Sequence, residues 1–83
     1  MIVNNNLCKI LDVLCVANQP LKVGDICKAI KISQPLCSQR LKVLKKYKLI
    51  FSRKRANAVY YKINDNYYEL ITNLININNE LAN

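Results

Sequence analysis

Side chains that bind anions are concentrated in the middle of this 83-residue chain. Eleven lysine and arginine residues lie between residues 26 and 64, and all five acidic residues lie outside that interval. The eleven are Lys28, Lys31, Arg40, Lys42, Lys45, Lys46, Lys48, Arg53, Lys54, Arg55 and Lys62. A surface that serves only solubility usually mixes both signs of charge. The acid-free block, in a chain of net charge +8, therefore favours a polyanionic partner over solubility alone.

Residues 33–50, SQPLCSQRLKVLKKYKLI, add side chains that can form hydrogen bonds with base edges. Ser33 predicts the start of a helix because its hydroxyl can accept a hydrogen bond from a free backbone N–H group. Pro35 fits the first turn, where its missing N–H is not needed. The buried side of the helix is predicted to carry Cys37, Leu41 and Leu44, which recur at helical spacing. The opposite side carries Pro35, Ser38, Gln39, Lys42 and Lys46.

The rest of the chain predicts the elements that position this helix. Residues 7–17 predict an almost wholly apolar helix, and a short helix over residues 24–30 leads through a tight turn to Ser33. Residues 50–54 and 59–63 predict a β-hairpin, with Asn57 as the left-handed residue of a turn over residues 55–58. Residues 66–81 predict the last helix. This order predicts a single domain over residues 1–83, a mainly α-helical winged helix-turn-helix with about four helices and a hairpin wing.

Other kinds of chemistry find little support among the residue types present. The four cysteines, Cys8, Cys15, Cys27 and Cys37, include no CxxC pair, and the chain has no histidine. A role in core packing is therefore favoured over a metal site with an unusual ligand set. The chain also lacks a glycine-rich phosphate loop and has no paired carboxylates within the basic block, so we expect neither an enzyme nor a bound metal or cofactor.

The N-terminal residues do not form the pattern of a targeting or membrane segment. Polar residues such as Asn4, Lys9 and Asp12 interrupt the apolar sequence, and the longest apolar run covers only residues 13–17. A helix that crosses a bilayer needs about 20 apolar residues. We therefore expect a cytoplasmic, nucleoid-associated protein that makes no contact with a membrane.

The segment from about Ile10 to Ile63 resembles the ArsR/SmtB family of dimeric bacterial repressors. That family typically shows a short VxEL helix, a recognition helix of the pattern SQxxxSxHLxxL and a basic hairpin that ends in VYYxL. The matching segments here are VGDI at residues 23–26, SQPLCSQRLKVL at residues 33–44 and VYYKI at residues 59–63. The hairpin sequence KRANAVYY, residues 54–61, is most similar to the branch that contains NolR, BigR and HlyU.

The sensor residues of that family have no counterpart in this sequence. Metal-sensing members carry a cysteine pair where this chain has Lys22 and Gly24, and redox-sensing members carry a cysteine where it has Asp12. Other members bind zinc through histidine on the last helix, and this chain has no histidine. Lys48 stands where the family usually ends the recognition helix with glycine. The resemblance therefore implies a repressor without the known metal or redox switches.

The leading hypothesis is a sequence-specific regulator that binds double-stranded DNA and represses transcription from an inverted-repeat operator. Gln34, Ser38 and Gln39 would read base edges in the major groove, while basic residues would contact phosphates. The predicted interface consists of Ser33, Gln34, Pro35, Ser38, Gln39, Arg40, Lys42 and Lys46 on the helix, and Arg53, Lys54 and Arg55 on the wing. The simpler alternative for the two glutamines is that they are ordinary exposed helix residues.

A winged helix that binds protein or RNA is the alternative function. RNA recognition usually stacks bases on exposed aromatic side chains. The six aromatic residues are expected mostly in core or interface positions: Tyr47, Phe51, Tyr60, Tyr61, Tyr67 and Tyr68. A protein partner, in turn, does not require eleven unopposed basic residues.

A homodimer is expected because the first and last helices carry more apolar surface than one small core can cover. The predicted interface residues are Leu7, Leu11 and Leu14 on the first helix and Tyr67, Leu70, Ile71, Leu74 and Ile75 on the last, with Leu81 further along. Two-fold symmetry would place the two recognition helices in successive major grooves, about 34–36 Å apart.

Overall fold

The computed structural model describes residues 5–82, which form four α-helices and one three-stranded antiparallel sheet. The elements are α1 (Asn5–Ala17), β1 (Leu21–Lys22), α2 (Val23–Ile30), α3 (Gln34–Lys46), β2 (Ile50–Arg55), β3 (Ala58–Ile63) and, after a 3-10 turn (Asp65–Tyr67), α4 (Tyr68–Ala82). Helices α2 and α3 form the helix-turn-helix, and β2 with β3 forms the wing. The predicted fold class is thereby confirmed. No helix within residues 5–82 has the length and apolar character needed to cross a membrane.

Helix α1 lies at the centre of the packing and contacts α2, α3, α4 and β3. The buried side of α3 is the predicted one and faces this core. The core consists of Ile10, Leu11, Leu14, Ile26, Cys27, Cys37, Leu41, Leu44, Ile50, Ile63, Ile71 and Ile75. Because every helix and the base of the wing contribute to one cluster, the core fixes the recognition helix and the wing against the same support.

The single chain buries part of the surface that the sequence assigned to a dimer. Leu11 and Leu14 are each 2% exposed, Ile71 is 0% exposed and Ile75 is 8% exposed. Helices α1 and α4 pack against each other and cover these four side chains within one chain. Their assignment to an interface between copies was therefore wrong. Leu7 packs at the edge of the same core, and the side chain of Leu81 lies outside the described residues.

The C-terminal segment has two distinct apolar sides, although the sequence pattern predicted a single apolar stripe. Ile71 and Ile75 face the core, whereas a second row of side chains remains exposed. This second row consists of Tyr67, Leu70, Leu74 and Ile77, and we call it the C-terminal stripe. Its members recur at spacings of three and four residues, which places them along one side of the helix. Ile77 was not among the predicted residues.

Strand β1 adds a third member to the sheet, and the sequence pattern did not predict it as a strand. Leu21 pairs with Tyr61 and Lys22 pairs with Tyr60, so that the strand order is β1-β3-β2. A strand of two residues is too short to show the alternation by which strands are recognised in a sequence.

The turn of the wing is tighter than predicted. The ladder continues to the pair Arg55 and Ala58, which leaves Ala56 and Asn57 as a two-residue turn. Ala56 adopts the left-handed conformation, with φ of 55°, and Asn57 does not. A positive φ at the first central residue is the pattern of a type II′ turn, whose twist matches that of the flanking strands. The prediction of a four-residue turn with a left-handed Asn57 was therefore wrong.

Specific hydrogen bonds begin and end the recognition helix α3. The Oγ atom of Ser33 accepts a hydrogen bond of 3.3 Å from the backbone N–H three residues further on, as predicted. At the other end Lys48 adopts a left-handed φ of 61°. The N–H groups of Lys48 and Leu49 each donate, at 3.0 Å, to the carbonyl oxygens of Lys45 and Leu44 respectively. This Schellman arrangement turns the chain from α3 into β2.

Asn64 is the buried polar residue that joins the two ends of the wing, and sequence analysis did not identify it. Its Nδ2 atom donates a 2.7 Å hydrogen bond to the carbonyl oxygen of Lys48, and its Oδ1 atom accepts one of 3.1 Å from the N–H of Asn66. Its backbone N–H donates to Leu49, and its carbonyl oxygen accepts from Tyr67. Asn64 therefore connects the exit of α3 to the entry into α4.

Replacement of Asn64 by alanine should lower the free energy of unfolding by about 1–3 kcal/mol, because it removes both side-chain hydrogen bonds and leaves the Lys48 carbonyl group without its partner. Asn64→Asp keeps an acceptor for the Asn66 N–H but cannot donate to Lys48, so it separates the two contributions. Urea unfolding followed by circular dichroism measures both. The matched control is Asn66→Ala, which should change stability by less than about 0.5 kcal/mol. Equal stability of Asn64→Ala and the control would contradict the assigned role.

Candidate nucleic-acid interface

The exposed side of α3 carries most of the residues predicted to contact DNA. Ser33, Gln34, Pro35, Gln39, Lys42 and Lys46 are exposed, whereas Ser38 and Arg40 are half-buried. The buried stripe of the helix lies against the core, so these polar and basic side chains form the free side of the helix. The helix thus presents amides near its N-terminus and cations along the rest of its length.

Arg40 is held more closely by the protein than its neighbours on α3. Its Nε atom is enclosed and has no hydrogen-bond partner among the described residues. An enclosed N–H group without a partner costs about 1–3 kcal/mol. Arg40 occupies the position of a histidine in the ArsR/SmtB recognition helix, and the sequence predicted a phosphate contact there. The fold packs the stem of this side chain against the domain, and its contact with a phosphate stays a prediction.

An open groove of about 500 Å³ joins α3 to the wing, and we call it the interface groove. Gln34 and Ser38 of α3 line it from one side, and Asn57 and Val59 of the wing line it from the other. Lys22 and Lys28 also line it, together with Asp25. Sequence analysis did not include Lys22, Lys28 or Asn57 in the site. Lys28 belongs to the acid-free block and could have been found from charge, whereas no local sequence pattern places Lys22 or Asn57 beside α3.

The three basic residues of the wing do not point in one direction. The ladder pairs Arg53 with Tyr60, Lys54 with Val59 and Arg55 with Ala58. Since successive side chains of a strand alternate between faces, Lys54 shares the face of Val59, next to the interface groove, while Arg53 and Arg55 lie on the opposite face. All three are exposed. The wing therefore offers cations on both of its sides.

The aromatic residues are more exposed than the sequence suggested. Tyr47, Phe51, Tyr67 and Tyr68 are exposed, and Tyr60 and Tyr61 are half-buried. The prediction placed these residues mostly in the core or in an interface. None of the six is buried within the single chain, and an interface position stays a prediction. They lie at the end of α3, in the sheet and at the start of α4.

Residues 6–50, more than half of the chain, match the arsR family of bacterial regulatory proteins. The chain belongs to this family, and its fold and recognition helix are those of a DNA-binding regulator. The narrower placement in the branch of NolR, BigR and HlyU stays a prediction. A comparison with curated proteins finds no match.

Several solved structures of bacterial regulators share this fold. The homodimeric winged helix-turn-helix DNA-binding domain of Mb0332 from Mycobacterium bovis has a TM-score of 0.78 and 25% identity, over 96% of this chain and 73% of that one. MepR, a transcription regulator of the Staphylococcus aureus multidrug efflux pump MepA, has a TM-score of 0.80 and 23% identity, over 96% and 61%. The adhesin competence repressor AdcR from Streptococcus pyogenes has a TM-score of 0.77 and 23% identity, over 96% and 59%. A MepR variant has also been solved bound to an oligodeoxyribonucleotide. The chain spans about six tenths of the MepR and AdcR chains.

The cysteines of this family member lie in or beside the core. Cys8, Cys27 and Cys37 are buried, and Cys15 is half-buried. Burial raises the pKa of the Cys8 and Cys15 thiols, the latter with a smaller effect from Asp12. Burial, with a hydrogen bond to Cys27, raises the pKa of Cys37 to about 12. Among the described residues, no group of three or more His, Cys, Asp or Glu side chains is placed to hold a metal ion. Because they are buried in the core or packed against it, these thiols act as small apolar side chains.

Pulsed alkylation of the folded protein at pH 8 should modify Cys15 first and Cys37 only after unfolding, because the thiolate is the reactive form and burial disfavours it. Mass spectrometry of peptides after each pulse measures the rates, and Cys15→Ala serves to assign the fast site. The raised pKa of Cys37 also favours the folded state below about pH 9, and this contribution should be lost as the pH rises toward about 12. Alkylation of Cys37 as fast as that of Cys15 in folded protein would contradict this packing.

Proposed function

We propose that this protein is a sequence-specific transcriptional repressor that binds double-stranded DNA as a homodimer on an inverted-repeat operator. The observation that carries the proposal is the interface groove, which brings Gln34 and Ser38 of α3 together with Lys22 and Lys28 beside the wing. A single side of the domain thereby combines groups that read bases with groups that bind phosphates.

Helix α3 is proposed to lie in the major groove, which admits one α-helix. Gln34 and Gln39 are exposed on its N-terminal half, where they can each form two hydrogen bonds with an adenine edge. Ser38 lies deeper in the interface groove and can accept or donate one hydrogen bond. These three side chains supply the base contacts of the proposed complex.

The basic residues around α3 are proposed to bind phosphates. Lys42 and Lys46 are exposed along the helix, and Lys22 and Lys28 line the interface groove. Lys54 extends the same side onto the wing, and Arg53 and Arg55 can reach the backbone or the minor groove from the outer face. Such contacts set the position of the protein on the duplex without reading its sequence.

The C-terminal stripe is proposed as the centre of the homodimer. Leu70, Leu74 and Ile77 are exposed apolar side chains in one row, which favours burial against a partner. An isologous contact between two stripes gives the two-fold symmetry that an inverted repeat requires. The homodimeric state of the Mb0332 domain and the role of AdcR as a repressor support this reading. A regulator of this kind acts on chromosomal DNA, in the cytoplasm and at the nucleoid.

Selection from a pool of random DNA duplexes tests the proposed function directly. The protein should enrich an inverted repeat with half-sites one helical turn apart, about 10–10.5 base pairs from centre to centre. A reporter promoter that carries the enriched motif should be less active when the protein is expressed. Failure to enrich any motif would contradict sequence-specific binding, and a more active reporter would contradict repression.

Substitutions on α3 should separate base reading from phosphate binding. Gln34→Ala or Gln39→Ala should reduce discrimination against a single altered base pair by about 1–3 kcal/mol. Lys42→Ala should weaken binding to all duplexes about equally and should reduce the salt slope of log Kd by about one unit, because one phosphate contact is lost. Fluorescence anisotropy with matched and altered duplexes measures both quantities. Full specificity in both glutamine variants would mean that α3 does not read the bases.

The proposed dimer predicts a difference between two glutamate variants of α4. Leu74→Glu places a charge in the C-terminal stripe and should give monomers with weak, nonspecific DNA binding, because a buried unpaired charge is strongly unfavourable. Asn76→Glu adds the same charge at an exposed position on the opposite side of α4 and should leave the dimer intact. Sedimentation velocity together with anisotropy measures both properties. A wild-type monomer that binds a single half-site tightly would refute the dimer.

A further inference from the structure

The outer face of the wing carries aromatic rings and cations together. The ladder places Phe51 opposite Lys62 and Arg53 opposite Tyr60, so these four side chains share one face of the sheet. The alternate residues, such as Ile63, point into the core. The outer face is therefore the side of the sheet that the core leaves uncovered within the described chain.

A groove of about 920 Å³ lies on this face, and we call it the outer groove. Its lining includes Pro20, Phe51, Arg53, Arg55, Tyr60 and Lys62, and none of the described residues that line it is acidic. Phe51 is 53% exposed, although a phenyl ring gains nothing from contact with water. The volume lies at the upper end of the range of about 300–1,000 Å³ that is typical of ligand sites.

The arrangement of rings and cations selects one chemical class of ligand. Phe51 and Tyr60 are diagonal neighbours across the β2–β3 ladder. The backbone positions of such neighbours are about 7–8 Å apart, a distance that aromatic side chains can bridge. Two rings at the centre offer flat apolar surface, and the guanidinium groups of Arg53 and Arg55 offer paired donors for an oxyanion. A ligand that matches both features has planar aromatic rings joined to anionic groups, as nucleotides do.

Paired nucleotides cannot use the two rings. The bases of a duplex are stacked on each other inside the helix, and only their edges are accessible from the grooves. Unpaired bases, by contrast, are free to stack on aromatic side chains, as they do on the sheets and grooves of single-strand binding proteins. The exposed ring of Phe51 therefore favours single-stranded over double-stranded nucleic acid.

We propose that the outer groove binds about two unpaired nucleotides of a single-stranded nucleic acid, one for each ring. The bases stack on Phe51 and Tyr60, and the phosphates pair with Arg53, Arg55 and Lys62. Lys62 forms an exposed ion pair with Asp65 at 3.7 Å, which is weak enough to open for a phosphate.

This second binding site goes beyond the proposed duplex interface and can fail independently of it. The interface groove lies on the face of the wing that carries Val59 and Tyr61, and the outer groove lies on the opposite face. Only Arg53 and Arg55, at the tip, are proposed for both. The rings are therefore the groups by which the two activities are separated.

A tryptophan at position 51 gives a direct probe, because the chain has no tryptophan of its own. In the full chain, Phe51→Trp should show saturable quenching of its fluorescence when oligothymidylate or oligouridylate is added, since a stacked base quenches indole emission. The ratio of the two affinities distinguishes DNA from RNA as the source of the strand. Tyr68→Trp, at a residue of similar exposure (52%) on α4, is the matched control and should show no quenching.

Loss of the ring provides the second measurement. Phe51→Leu keeps an apolar side chain and should weaken single-strand binding by about 5- to 150-fold, the cost of one lost stacking contact. Its affinity for duplex DNA should stay within about twofold, and its thermal unfolding should match the wild type. Absence of quenching at position 51, equal quenching at position 68, or unchanged single-strand affinity of Phe51→Leu would overturn the proposal. An equal loss of single-strand and duplex affinity would overturn it as well.

Discussion

The hydrogen bond from Asn64 Nδ2 to the carbonyl oxygen of Lys48, 2.7 Å long, fixes the relation between the recognition helix and the wing. Lys48 follows α3 directly, and Asn64 follows β3, so this contact closes the hairpin at its base across 16 residues of sequence. The backbone N–H of Asn64 also donates to the carbonyl oxygen of Leu49, and the carbonyl oxygen of Asn64 accepts a hydrogen bond from the N–H of Tyr67. The second of these bonds extends the connection to α4. The geometry of both proposed binding surfaces therefore depends on one buried amide, since both use side chains of the wing.

The hydrogen bond between Asn64 and Lys48 holds the basic residues of α3 and of the wing close together, although these positive charges repel each other. The described chain measures 40 × 28 × 21 Å, and the screening length at physiological salt is about 8 Å. The basic residues of α3 and of the wing therefore lie within a few screening lengths of each other. Bound phosphates would reduce this repulsion. The folded domain therefore binds a polyanion more favourably than the same cations would if they were far apart.

The sequence predicted elements that have a strong local pattern and missed those that depend on distant contacts. The heptad-like spacing of Cys37, Leu41 and Leu44, with Ser33 before it, was sufficient to place α3 and its buried side. The two-residue strand β1 and the role of Asn64 depend on partners many residues away, so no local pattern could reveal them. The apolar residues of α4 were correctly identified as a set, yet a sequence pattern alone does not tell which of two adjacent sides, that of Ile71 or that of Leu70, will meet the core.

The two helices of the helix-turn-helix each end at a lysine in the left-handed conformation, which is strained for any residue except glycine. Lys31 and Lys48 end the two helices of the helix-turn-helix with φ of 58° and 61°. That conformation costs an L-residue about 1–2 kcal/mol, and glycine adopts it without this cost. A cation at a helix C-terminus is itself favourable by about 0.3–1 kcal/mol, so lysine recovers part of the strain. Both lysines also belong to the acid-free block of basic residues. At these two positions, the sequence retains positive charge where glycine would form the less strained turn.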